Sequence, residues 1–205
     1  MNSPGPPPGG RSDAGAAVTE DRLLGGRVCL RQPAEGARAA IDPVFLAAAI
    51  PAEPHQQILD AGCGVGALRR PLLRELPGAT YLGVDASPYL CARHGWRQGT
   101  VQDLRVRARF DLVICYDVLQ YMDDRDARRA IANLRRACRG ALYFGALTRE
   151  DWESNCDRSA TDRTSWMRPG DWYRQELGRG FVPVGLGIWL HGRTKVSLWD
   201  LERPS

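Results

Sequence analysis

From residue 56 onward the chain alternates short apolar runs with longer amphipathic stretches. QQILDA (56–61) is an apolar run closed by glycine, which predicts a strand. ALRRPLLREL (67–76) has helical spacing, and Pro71 must lie in its first turns, where a missing N–H is tolerated. ATYLGVDA (79–86) predicts a strand. SPYLCARHG (87–95) predicts a short helix with Ser87 as N-cap and Pro88 at its first position. RQGTVQD (97–103) and the strongly apolar RFDLVICYD (109–117) predict two more strands. Between Asp124 and Arg139, the residues Ala127, Ala130, Ile131, Leu134, Ala137 and Cys138 make one helical stripe. The arginines fall largely on the other face, and Gly140 is expected to stop the helix. ALYFGAL (141–147) predicts the next strand. This alternation predicts an α/β fold with parallel strands and crossover helices. The tail differs. After a polar, Trp-rich stretch (150–178) come FVPVGLGIWLHG and TKVSLWDLE, two predicted strands with a short link, suited to antiparallel pairing at one sheet edge.

The leading residues fall into two parts. Residues 1–17 are rich in Pro, Gly, Ser and Ala and are expected to be a disordered tail. Residues 18–55 form an N-terminal cover segment, with a short strand in GGRVCLRQP and an apolar helix in IDPVFLAAAI. Asp42 is placed to cap that helix, Pro43 to enter its first turn, and Pro51 and Pro54 to close it. The main domain is expected over 56–205, with 150–178 as a substrate lid.

Composition narrows the classes. A chain of 205 residues, 43% hydrophobic and 25% charged, suits one well-buried soluble domain. The net charge of +4 is too small to argue for a nucleic-acid partner. Lys195 is the only lysine, and the arginine excess alongside Ala, Gly and Pro reads as genome bias. Cys29, Cys63, Cys91, Cys115, Cys138 and Cys156 form no CxxC pair and are read as free thiols. With no signal-like start and no apolar run of ~20 residues, the expected compartment is the cytoplasm, with no membrane partner. No His, Cys and acid group has metal-ligand spacing, so no metal is expected.

The candidate chemistry sits in QQILDAGCGVGALRR (56–70). A strand that runs into a helix through glycines lets backbone approach a ligand closely, and the helix start offers free N–H groups. In open α/β sheets the ligand crevice lies outside the carboxyl ends of the strands, where Asp60, Gly62, Gly64 and Gly66 fall. Two cofactor classes fit these residues. A dinucleotide would use Gly62-x-Gly64-x-x-Ala67 for its pyrophosphate and Asp85 for its ribose. S-adenosylmethionine would use the glycine turn for its amino acid moiety, an acid there for its ammonium, and Asp85 for its ribose hydroxyls. A purely structural glycine turn is the third reading.

DAGCGVG, then YLGVDAS, then VQDL, then FDLVICYDVLQYM resemble, in order and spacing, the class I S-adenosylmethionine-dependent methyltransferases over residues 56–147. That resemblance implies a Rossmann-like three-layer αβα sandwich, with a mostly parallel seven-stranded sheet and an antiparallel last strand. It also implies S-adenosyl-L-methionine as cofactor. Asp60, Gly62, Cys63, Gly64 and Gly66 match the loop around the methionine and ribose. Asp85 matches the ribose acid, with Ala86 beside the adenine. Gln102, Asp103 and Leu104 match the segment that reads the adenine edge. Cys115, Tyr116 and Asp117 match the strand end where methyl group meets acceptor. The segment LLGGRVCLRQPAEGARAAIDPVFLAAAIPA resembles the leading part of bacterial adenine-N6 tRNA methyltransferases, but CYDVLQYM stands where those enzymes carry Asn-Pro-Pro-Tyr. The tail resembles a group of small bacterial methyltransferases.

A base near the acceptor is useful only where the nucleophile must lose a proton. Tyr116, Asp117 and Tyr121 are the catalytic candidates, and Trp152, Asp157, Asp162, Arg168, Trp172 and Tyr173 are further groups on the lid. His191 reads as a satisfied strand residue, and the arginine face of the 124–139 helix as a solvated face. The favoured function is methyl transfer to a small-molecule acceptor. RNA methylation, an NAD-binding oxidoreductase and a non-catalytic cofactor-binding domain remain alternatives.

Overall fold

The computed structural model describes residues 18–23, 28–33, 55–156 and 164–194. The chain divides into two units, residues 1–41 and 42–205. In the first, β1 (Val18–Leu23) and β2 (Val28–Pro33) form an antiparallel pair in which Val18 faces Pro33 and Leu23 faces Val28. The expected strand in GGRVCLRQP is β2. Its partner VTEDRL carries three charged residues and gives no apolar signal. Residues 1–17, the helix expected in IDPVFLAAAI, and residues 195–205, which include all of TKVSLWDLE but its first residue, lie outside the described residues.

The second unit holds seven strands: β3 (Gln57–Ala61), β4 (Thr80–Asp85), β5 (Arg97–Gln98), β6 (Phe110–Tyr116), β7 (Cys138–Gly145), β8 (Phe181–Gly185) and β9 (Ile188–His191). Their order is β5-β4-β3-β6-β7-β9-β8, and only β9 runs against its neighbours. This is the mostly parallel sheet with an antiparallel last strand that the motifs imply. The order reverses direction between β3 and β6, a switch point where adjacent crossovers leave a crevice.

Helices cover both faces. α1 (Arg69–Glu75), α2 (Pro88–His94), α3 (Asp124–Ala137), α4 (Arg149–Ser154) and α5 (Gly170–Gly178) follow in chain order. Strand side chains alternate. Leu59, Val113 and Leu142 point with α3 and α5 into one buried layer, and Ile58, Leu112 and Ile114 into the other with α1. The seven-residue α1 has no side-chain cap, so its stability rests on Leu72 and Leu76, each worth roughly 2 kcal/mol of burial. Pro71 sits at its third position, as expected. α2 has the expected Ser87 cap, Pro88 start and left-handed Gly95 end.

Two expectations are corrected. Only Arg97–Gln98 of the expected strand 97–103 pairs; from Gly99 the chain turns away under Asn133 of α3, whose amide donates to the Val101 and Gln102 carbonyls at 2.9 and 2.7 Å. Gly140 does not stop α3. The helix ends at Ala137 and β7 starts at Cys138; Gly140 is a strand residue because a Cβ there would meet the Asp111 carbonyl oxygen at 2.3 Å. An antiparallel hairpin lies within FVPVGLGIWLHG, and the pairing expected of TKVSLWDLE falls outside the described residues. Leu186 and Gly187 both take positive φ, as a tight two-residue hairpin turn needs.

Candidate cofactor site

The three glycines after β3 do three different jobs. All have positive φ. A Cβ on Gly62 would lie 2.3 Å from a Val118 methyl, and one on Gly66 would lie 2.4 Å from the Trp96 ring. Both glycines therefore make room for neighbours. A Cβ on Gly64 would meet nothing within 4 Å, so this position opens outward. Trp96 fastens the loop: its indole N–H donates to the Gly64 carbonyl at 3.0 Å, and its ring lies beneath Gly66 and beside Tyr81. The amides of Gly62 and Cys63 both donate to the Val84 carbonyl, at 2.7 and 3.1 Å, which ties the turn to β4.

Asp85 ends β4 and holds two loops at once. One carboxylate oxygen accepts the Gly64 amide and the other the Ser87 amide, each at 2.8 Å. Each oxygen keeps a lone pair for a further donor. Asp60 is buried and accepts the Tyr81 hydroxyl. Burial, and secondarily the Asp85 charge, push its carboxyl up to about 6 against the pull of that hydrogen bond. Burial, with the nearby Asp60 and Asp85 charges, also pushes the Cys63 thiol up to about 12, so it is a neutral packing group at pH 7.

A cleft of about 340 Å³ opens at the carboxyl ends of β3, β4 and β6. It brings together Gly62, Asp85, Ala86 and Gln102 with Asp117 and Tyr121. Val118 and Met122 line the same wall, as do Thr100 and Val101. Sequence reasoning missed these four. The adjoining loop is braced by Asn133, a buried polar residue on the apolar face of α3, and that misfit was the available signal. Asp117 stands at the rim in the left-handed region, with φ 56°. The surrounding wall desolvates its carboxylate enough to raise its pKa, against a weak opposing hydrogen bond from Gln120.

Other candidates lie elsewhere. The Asp103 carboxylate is taken by Arg129 at 2.6 Å and by the Thr100 hydroxyl at 3.1 Å, outside the cleft lining. Leu104 and Cys115 are buried core residues. Tyr116 is exposed and stacks on Tyr143, with centroids 5.2 Å apart. Within 150–178, Tyr173 and Leu177 pack into the core, so this half of the expected lid is structural. Arg168 is buried and fully engaged: it donates to Asp124 at 2.7 Å, to the Leu119 carbonyl at 3.0 Å, to the Tyr173 hydroxyl and to the Met122 carbonyl. It thereby fixes the 3-10 turn Leu119–Tyr121 that carries Tyr121 to the cleft. Asp157 and Asp162 lie outside the described residues.

Residues 59–140 match the methyltransferase domain family. The chain is 31% identical over 149 residues to trans-aconitate 2-methyltransferase of Deinococcus radiodurans, spanning 68% of this chain and 56% of that protein. It is 37% identical over 153 residues to ubiquinone biosynthesis O-methyltransferase of Nitrobacter winogradskyi, spanning 64% and 57%. Its fold resembles magnesium protoporphyrin IX methyltransferase of Synechocystis PCC 6803, with a TM-score of 0.55 at 20% identity over 74% of this chain and 76% of that one. These matches support the class I S-adenosylmethionine-dependent methyltransferases as the family of this chain. It spans little more than half the length of the two curated relatives.

The cleft of this methyltransferase domain fits the family's cofactor on three observations. Gln102, a lining residue, has a buried side-chain oxygen without a partner, which an amino group would satisfy. Asp85 has acceptor capacity for paired hydroxyls. Gly64 leaves open the space that a side chain would fill.

Proposed function

We propose that this protein transfers the methyl group of S-adenosylmethionine to a small-molecule acceptor. The observation that carries the reading is the joint placement of Asp85, Gln102 and Gly62, the first glycine of the turn, around one cleft at the switch point of the sheet. When bound, the sulfonium supplies an electrophilic methyl for in-line displacement; the protein supplies position and electrostatics. Asp85 accepts the ribose hydroxyls while keeping the Gly64 and Ser87 amides. Gln102 accepts an adenine N–H. Asp60, behind the turn, favours the ammonium group electrostatically. Tyr116, Asp117 and Tyr121 stand on the acceptor side, and Asp117, with its raised pKa, is the group suited to take a proton from a hydroxyl or carboxyl acceptor. The names of the relatives, which methylate trans-aconitate or act in ubiquinone biosynthesis, support a small acceptor.

Calorimetric titration of S-adenosylhomocysteine and, separately, NAD into the full chain tests the cofactor. The homocysteine compound binds, NAD does not, and Asp85→Asn weakens binding by about tenfold or more, because an acceptor becomes a donor facing amide N–H groups. Binding of NAD alone overturns the reading. Labelled methyl donor with a small-metabolite extract, and separately with RNA, tests the acceptor. Label found only in RNA overturns the small-molecule assignment.

A further inference from the structure

The sheet edge opposite the cofactor cleft carries a groove of about 660 Å³ walled by arginine. Arg107 and Arg109 lead into β6, Arg135 and Arg136 close α3, Arg179 follows α5, and Arg193 follows β9. β6 brings its amino end and the antiparallel β9 its carboxyl end, so these segments meet at one edge. Among the described residues no Asp or Glu lines the groove. Among the described residues only Arg179 of the six has a carboxylate partner, Glu176 at 2.8 Å, and Arg128 shares that carboxylate. The negative end of α3 offsets about half of one charge. The excess of positive charge in a concave wall is therefore large.

Two of the guanidiniums are held by neutral acceptors, which orient them without neutralising them. Arg109 donates to the Cys138 carbonyl at 2.5 Å, and Arg135 to the Arg179 carbonyl at 3.4 Å. Gly180 lets Arg135 lie across the groove, since a Cβ there would fall 2.1 Å from the Arg135 Cδ. His191 forms the floor and is more than nine-tenths buried. Its Nδ1 accepts the Arg193 backbone amide at 3.3 Å, and its Nε2 lies 3.4 Å from an Arg109 nitrogen, so the ring ties these two arginine segments to the groove floor.

We propose that this groove binds a compact small molecule carrying two or more phosphoryl groups. Guanidinium forks match phosphate oxygens in pairs, and several forks around one hollow favour a multiply charged ligand. The volume is that of a small-ligand cleft. Among the described residues none of the exposed aromatics, Tyr89, Tyr116, Tyr121 and Trp166, lines it, so these supply no stacking surface for nucleobases and RNA is disfavoured. The inference is independent of the methyl acceptor.

Calorimetry with the full chain in about 50 mM salt, where exposed charges are weakly screened, tests it with sodium tripolyphosphate and inorganic phosphate as probes. Tripolyphosphate binds at least about tenfold tighter than phosphate, as several engaged guanidiniums require. Arg135→Gln/Arg193→Gln weakens it by about 100-fold, roughly tenfold per charged contact. Arg74→Gln/Arg125→Gln removes the same charge from other exposed positions and costs less than about threefold. Thermal melting confirms that both double variants are folded. Absence of tripolyphosphate binding, or equal losses in the two variants, overturns the proposal. So does an RNA 20-mer or an anionic vesicle that binds this edge while tripolyphosphate does not displace it.

Discussion

The two edges of one sheet have opposite chemistry. The carboxyl edge gathers Asp60, Asp85 and Asp117, with no arginine among the residues lining its cleft. The amino edge gathers six arginines and, among the described residues, no acid in its groove. Positive φ occurs at both edges, at Gly62, Gly64, Gly66 and Asp117 on the carboxyl side and at His55 and Gly78 on the amino side, where Arg139 and Asp111 also lock β7 to β6. In a parallel sheet the helices start where the strands end, so the carboxyl edge is partly positive before any side chain is counted. Acids placed there more than cancel it. That edge suits a cation, such as a sulfonium or ammonium group, and the amino edge suits an anion.

One arginine sits near the acidic edge, and it tests whether partners or position decide the difference. Arg168 has a carboxylate, two carbonyls and a hydroxyl around it, and Trp172 lies over its guanidinium at 4.8 Å. Arg168→Met takes the guanidinium from the Met122 carbonyl and from the Asp124 carboxylate, and leaves the Leu119 carbonyl only the Met122 amide at 3.3 Å. It lowers stability by about 4 kcal/mol in urea unfolding, within the range for breaking a buried charged network. It also weakens S-adenosylhomocysteine binding, because the Leu119–Tyr121 turn loses its brace. Arg193→Gln, at the exposed edge, changes stability by less than about 0.5 kcal/mol. Equal costs would erase the distinction between a structural and an available arginine.

The glycine turn offers the next contrast. Gly62→Ala adds left-handed strain and a 2.3 Å clash with Val118, and loses about 3 kcal/mol. Gly64→Ala adds strain alone and loses about 1 kcal/mol. Urea unfolding gives both values. Gly64→Ala nonetheless weakens S-adenosylhomocysteine binding by more than its stability loss accounts for, since the new methyl enters the space left for a ligand.

Asp60 gives a pH-dependent version of the same argument. Burial raises its carboxyl to about 6. The folded chain thus holds this proton more tightly than the unfolded chain, whose value is about 4. Folding is favoured by the proton below pH ~4, and that advantage disappears as pH climbs through 6, a change of roughly 2–3 kcal/mol. Asp60→Asn removes this part of the slope between pH 4 and 7 in melting curves. If the slope is unchanged, the acidic edge does not owe its instability to Asp60.

Much of this fold was legible because the signals were local. QQILDA, ATYLGVDA and FDLVICYD are apolar runs that parallel strands require, and Ser87-Pro88 and Gly95 frame α2 unaided. The cofactor turn was legible because glycines between a strand and a helix leave few other uses. The misses share one cause, which is that a distant partner decided the local structure. Gly140 reads as a helix stop but answers to the Asp111 carbonyl. Leu186 is no turn former, yet pairing of β8 with β9 puts it in one. Arg168 reads as a lid residue, and nothing near it in sequence announces the carbonyls of Leu119 and Met122 that it serves. The arginine groove was invisible for the same reason: its six residues come from four separate segments, in a chain rich in arginine throughout.

The smallest effect belongs to the ion pair that locks the amino edge. Asp111 accepts both Arg139 nitrogens, at 2.7 and 2.8 Å, and the Gln57 amide at 2.9 Å, so one carboxylate joins β3, β6 and β7. Burial works against the charged form, but Arg139 and the amide outweigh it and hold the carboxyl below its ordinary range. The sign is opposite to that of Asp60. The stabilisation is complete above the unfolded value near 4 and is lost as pH falls through the lower folded value. Arg139 is half exposed, so water screens the pair and its worth is about 1 kcal/mol or less. Asp111→Asn therefore costs up to about 1 kcal/mol at pH 7 and less than that at pH 3, where the wild type has begun to lose the same charge. Melting curves at the two pH values measure the difference. A cost that does not shrink in acid would mean that the Gln57 and Arg139 geometry, rather than the carboxylate charge, keeps this edge closed.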